Sequence, residues 1–122
     1  MRILIVDNSS TMRKVIRRNL RQAGYDVSDV LEAGDGTEGL AVLGDKAVDV
    51  ILSEVNMPNM GGLEFLEKVK ESEATSSIPV FMITTENTPD AITECTNRGA
   101  VGCMGKPFTA ESLGAALASV LS

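Results

Sequence analysis

Apolar runs and amphipathic stretches alternate five times along this chain. Ile3 to Val6 is uniformly apolar, and Ser9-Ser10 follows as a hydroxyl pair able to cap a helix. The apolar positions of that helix, Met12, Val15, Ile16 and Leu20, recur at helical spacing and stop at Gly24. Val27 to Ala33 predicts a second strand. Asp35, with Glu38 three residues on, has the form of a capping box and opens a helix carrying Leu40 and Leu43. Gly39 inside that helix costs it about 1 kcal/mol relative to alanine. Val48 to Ser53 and then Leu63 to Val69, with Leu63, Leu66 and Val69 on one face, make the third unit. Ile78 to Ile83 predicts the fourth strand, and Thr88-Pro89 starts its helix with a capping hydroxyl and a first-turn proline. Ala100 to Met104 and a helix capped by Thr109, with Leu113, Ala116, Leu117 and Val120 inward, complete the pattern.

Continuous apolar strands suit a sheet covered on both sides. Five strand-helix units with right-handed crossovers therefore predict one α/β domain over residues 1–122, a doubly wound (βα)5 sandwich around a five-stranded parallel sheet.

Charge removes several functions from consideration. The chain carries a formal net charge of −6, and its cations concentrate between Arg13 and Arg21, on a helix with an apolar face. Nucleic acid is not an expected partner, because neutralising phosphates needs a basic surface. Cys95 and Cys103 lack metal-ligand spacing, and with no histidine in the chain zinc is not expected. No apolar run is long enough to span a bilayer. The expectation is a soluble, cytoplasmic monomer with no membrane partner and reduced, structural cysteines.

In an open parallel sheet, ligands sit beyond the carboxyl ends of the strands, near the point where strand order reverses. The residues there are Asp7-Asn8, Glu54, Thr84-Thr85 and Lys106-Pro107. Two acids, an amide, a hydroxyl and a lysine on one edge have the chemistry of a divalent-cation and phosphate site. Magnesium needs only one or two protein carboxylates, and a lysine pairs with a phosphoryl oxygen as a point charge.

The blocks ILIVDNSSTMRK, EAGDGTEGL, VNMPNMGGLEFL, the threonine after FMI, and GKPFT, in this order, resemble the receiver domain of bacterial two-component response regulators, most closely the single-domain, CheY-like chemotaxis type. The resemblance implies a flavodoxin-like fold and a module that receives phosphate from a sensor histidine kinase. It implies output to a downstream protein through the face of the fourth helix, fifth strand and fifth helix, with no enzymatic turnover of its own. It places Glu54 at the phosphoacceptor position, Thr84 and Lys106 as the phosphate-sensing pair, and Cys103 where an aromatic switch residue is common. Asp7, Asn8, Glu54 and the backbone carbonyl of Asn56 take the metal-ligand positions.

Three departures modify those expectations. Glu54 is one methylene longer than the usual aspartate, which adds a bond of about 1.5 Å. Phosphotransfer should be slow or absent, with the carboxylate acting as a partial mimic of phosphate or as a plain salt-bridge partner of Lys106. Asn8 removes one acid, so magnesium binding should be weak. Gly61 replaces an aspartate common in the family's turn. Besides a phosphorelay receiver, a phosphate-independent pseudo-receiver remains open. An aspartate-nucleophile phosphatase is a further alternative, since DNSST is loosely similar to the D-x-D-x-T motif of haloacid dehalogenase-like enzymes.

Overall fold

The structure, a computed structural model, describes residues 1–85 and 88–121. Its strands are β1 (Ile3–Val6), β2 (Leu31–Ala33), β3 (Val50–Glu54), β4 (Val80–Thr84) and β5 (Gly102–Gly105). Between and after them run α1 (Ser10–Gln22), α2 (Gly36–Asp45), α3 (Gly62–Glu71), α4 (Pro89–Asn97) and α5 (Ala110–Leu121). All pairings are parallel, in the order β2-β1-β3-β4-β5. The chain moves outward from β1 to β2, then crosses back to β3 and outward again. Strand order therefore reverses between β1 and β3, at whose carboxyl ends such sheets place their ligand sites.

Side-chain alternation divides the interior into two cores. Ile3 and Ile5, Val50 and Leu52, and Phe81 and Ile83 pack with Ile16 and Leu20 of α1 and Leu113 and Leu117 of α5. Leu4, Val6, Ile51, Val80 and Met82 face the other way, onto Phe65, Leu66 and Val69 of α3 and Cys95 of α4. Asp7 continues the alternation of Ile3 and Ile5, and Glu54 that of Val50 and Leu52. Both carboxylates thus leave the sheet with the same parity.

The helix starts follow the sequence closely. Ser9 accepts from the Met12 N–H at 3.1 Å, Asp35 from Glu38 at 2.9 Å, Thr88 from Ala91 at 3.2 Å and Thr109 from Ser112 at 3.0 Å. The expected capping box is displaced by one residue, because Glu38 Oε1 accepts from the Gly34 N–H at 3.0 Å rather than from Asp35. At α3 the cap is Gly61, with no side-chain bond.

Four strands differ in their bounds from the hydrophobic pattern, and β3 runs Val50–Glu54 rather than Val48 to Ser53. β2 covers only Leu31–Ala33, not Val27 to Ala33, since Val30 N–H turns back to Val27 O and the Arg17 guanidinium takes the carbonyls of Val27 and Val30. β4 begins at Val80 because Ile78 N–H bonds to Thr75 O and Pro79 has no N–H. β5 starts at Gly102, because Ala100 N–H closes the end of α4 on Cys95 O, next to Gly99 at φ 108°. At α3 the apolar pattern passed over Phe65, which is fully buried, while Leu63 is half-buried.

Phe65 also explains Gly39. A Cβ at position 39 would lie 2.8 Å from the ring's Cε1, so α2 gives up helix propensity to let that ring in. Propensity alone says Gly39→Ala should stabilise by about 1 kcal/mol. Against a ring that cannot move, the expected outcome is instead a net loss of about 1–2 kcal/mol, read as a lower urea midpoint.

Candidate functional site

Asp7, Glu54 and Thr84 are buried at the carboxyl ends of β1, β3 and β4, while Asn8 and Asn56 are exposed. Each acid is held by local geometry. Asp7 N–H extends the β1–β2 ladder to Ala33 O at 3.0 Å, and its carbonyl accepts from Arg13 Nη1 at 2.6 Å. Its Oδ1 accepts from the Ser9 N–H at 2.9 Å, the turn expected when an aspartate precedes a helix start by two residues. Lys106 is carried in from the far side of the sheet by its N–H bond to Thr84 O at 2.8 Å.

The ammonium of Lys106 joins the two acids. Its Nζ donates to Asp7 Oδ2 at 2.9 Å and to Glu54 Oε1 at 2.8 Å. The other oxygen of Glu54, Oε2, accepts from the backbone N–H groups of Val55 at 2.5 Å and Asn56 at 3.1 Å. All four carboxylate oxygens therefore have a donor. Burial pushes the lysine's pKa down, but the hydrogen bonds to Glu54 and Asp7 and their two charges outweigh it. The net result lies above the ordinary value of 10.5.

This donor set fits a hard divalent cation poorly. Magnesium recruits free carboxylate oxygens, whereas here both acids are committed to Lys106 and backbone amides, and the third position is the neutral amide of exposed Asn8. The arrangement instead has the chemistry of an anion pocket, with one ammonium and two amides around a single carboxylate.

Cys103 lies away from these contacts, half-buried on β5 beside the thiol of Cys95. Burial first, then Cys95 and the charge of Glu54, push its pKa up to about 12, so it stays a protonated, packed thiol at neutral pH. The basic stretch of α1 is partly spent on structure, since Arg13 and Arg17 both pair with Glu32 of β2. The sequence reading missed the contributions of backbone and turn, namely the Val55 and Asn56 amides, the Arg13 bond to Asp7 O, and a bond between Asn59 and Asp35 at 2.8 Å. Only the turn residues of NMPNMGG signalled that a tight loop stood there.

The response regulator receiver domain family matches residues 3–118. The chain belongs to this family. The receiver is 41% identical over 113 residues to the chemotaxis protein CheY of Pseudomonas aeruginosa, spanning 93% of this chain and 90% of that protein. It is 38% identical over 113 residues to chemotaxis protein CheY-3 of Vibrio cholerae, spanning 93% and 85%. The solved structure of chemotaxis response regulator CheY4 of Vibrio cholerae matches the receiver with a TM-score of 0.87 and 39% identity, covering 98% of this chain and 97% of that one. The doubly wound, flavodoxin-like architecture read from the sequence is the fold of these relatives.

Because Lys106 is raised above 10.5 in the folded receiver, its contribution to stability is complete below that pH and is lost as pH climbs through the raised folded-state value. Replacing Lys106 with methionine leaves two buried carboxylates facing each other and is expected to cost about 3 kcal/mol at neutral pH. Urea midpoints of the two proteins should converge at alkaline pH.

Proposed function

We propose that this receiver works in two-component, chemotaxis-type signal transduction by binding partners rather than by turning over a substrate, with Glu54 standing at the phosphoacceptor position. Its partners are a sensor histidine kinase and a downstream protein docking on α4, β5 and α5, in the cytoplasm. Asp7, Asn8 and the Asn56 carbonyl hold the metal positions together with Glu54, Thr84 and Lys106 are the phosphate-sensing pair, and Cys103 takes the switch position.

The observation that carries this reading is the double hold on the Glu54 carboxylate, by Lys106 on one oxygen and by two backbone amides on the other. An aspartate would end about 1.5 Å short of that place, leaving the lysine and the amides to receive an arriving phosphoryl group. Glu54 fills the space itself. Misplacing a nucleophile by about 1 Å costs roughly a hundredfold in rate, so ordinary phosphotransfer is slow or absent. Occupancy by a carboxylate mimics phosphate in part, bringing one negative charge where a phosphoryl group brings about 1.5 to 2 and three acceptor oxygens.

Receiver domains of this type generally bind magnesium. With Asn8 in place of an acid and Lys106 between Asp7 and Glu54, this one binds it weakly. Asn8→Asp is expected to raise magnesium affinity on the order of tenfold, as an added ligand charge does at oxygen sites, read by calorimetry.

The test of the main reading is intact mass after incubation with magnesium and acetyl phosphate, for the protein as it stands and for Glu54→Asp. Gain of a phosphoryl group by the aspartate variant alone is the expected result. A phosphoryl group mapped to Glu54 in the unaltered protein would show that the longer side chain still reaches in line, and the reading would be wrong.

A further inference from the structure

We propose that Asp35 and Asn59 are a positioning pair that sets the two backbone amides gripping the Glu54 carboxylate. This rests on the reading that the lysine and those amides form the receiver's anion pocket. The amides of Val55 and Asn56 begin the loop from β3 to α3, and the loop is fastened at three points. Gly62 N–H closes it on Val55 O at 2.8 Å, Gly36 N–H of α2 bonds to Met60 O at 3.1 Å, and Asn59 Nδ2 donates to Asp35 Oδ2 at 2.8 Å. The last is a side-chain bond to a charged partner, and it ties the loop to the N-cap of a different helix.

Neither of the ordinary local roles, a helix cap at Asp35 and a left-handed turn at Asn59, requires the bond between them. The helix cap places Asp35 Oδ1 on the Glu38 N–H at 2.9 Å, while Oδ2 takes the Asn59 amide, a bond the cap does not need. Asn59 has φ 64°, in the left-handed region, a conformation glycine adopts without cost and that this chain assigns to glycine at Gly24 and Gly99. Backbone need alone is met by glycine; what asparagine adds is the amide. Asp35 is buried while Asn59 is exposed, so the amide reaches from the surface of the loop to a fixed carboxylate beneath. The Asn59 bond, with the Glu38 N–H after it, holds the Asp35 carboxyl below its ordinary range. The carboxylate is therefore a charged acceptor at neutral pH. With the loop pinned there, the Val55 and Asn56 amides face the pocket whether or not an anion is in it, the kind of preorganised donor that an anion site requires.

Amide hydrogen exchange of the full chain, followed by NMR, tests the pair directly. Asn59→Gly keeps the backbone geometry and opens no cavity, and Asp35→Ser keeps the cap but is too short to reach Asn59. In each, Val55 and Asn56 should exchange about tenfold faster or more, while Ile51, whose N–H bonds to Pro79 O in the sheet at 3.0 Å, keeps its protection. The double variant should be no looser than either single one, as expected when both remove one interaction. Asp35→Asn should behave as the unaltered protein, because asparagine caps equally well and the Asn59 amide can turn its oxygen toward the new NH2 group. Unchanged exchange at Val55 and Asn56, loosening only in step with Ile51, or an Asp35→Asn protein as loose as Asp35→Ser would each overturn the proposal.

A second arm uses the Glu54→Asp background, where acetyl phosphate transfers its phosphoryl group to the introduced carboxylate and acetate leaves. Adding Asn59→Gly should slow that transfer roughly tenfold or more, and equal rates would count against the pair. If Glu54→Asp takes no phosphoryl group at all, the proposed function fails, and the exchange data on the unaltered acceptor still decide the role of Asp35 and Asn59.

Discussion

Two buried carboxylates end adjacent strands with the same side-chain parity, and one ammonium group makes that tolerable. Without Lys106, Asp7 and Glu54 would face each other in a site where water screens them little. With it, each acid has an ammonium within hydrogen-bond distance. The rest of the architecture serves this contact. Strand reversal brings β1 and β3 side by side, the β4–β5 ladder delivers the lysine across Thr84, and the turn after β3 offers two amides to the oxygen that the lysine does not reach.

The same unit separates anion chemistry from metal chemistry. A cation supplied by the chain and a cation drawn from solution compete for the same oxygens, and Asn8 leaves no spare acid to share. The Glu54 carboxylate brings its own charge to the lysine and the amides. Within the pocket the Glu54 carboxylate thus occupies the lysine and both amides at once.

Much of this was legible in the sequence because it depends on periodicity and position. Continuous apolar runs gave the strands, Ser9, Asp35, Thr88 and Thr109 gave the helix starts, and the residues after each run gave Asp7, Glu54, Thr84 and Lys106. What was not legible depends on backbone groups and on tertiary contact. Donor amides at Val55 and Asn56 carry no side-chain signature, and Val27 to Val30 read as strand until the Arg17 guanidinium claimed their carbonyls. Gly39 looked like a flaw in a helix because the ring that requires it belongs to α3.

The separation of the site's charges along the chain has a consequence for how the receiver folds. Lys106 lies 99 residues from Asp7 and 52 from Glu54 in sequence. Until β5 docks, the two acids have no counter-charge and are better left in water, so this end of the sheet resists closing around an unfinished chain. The pocket is therefore complete only when residues from both ends of the chain have met.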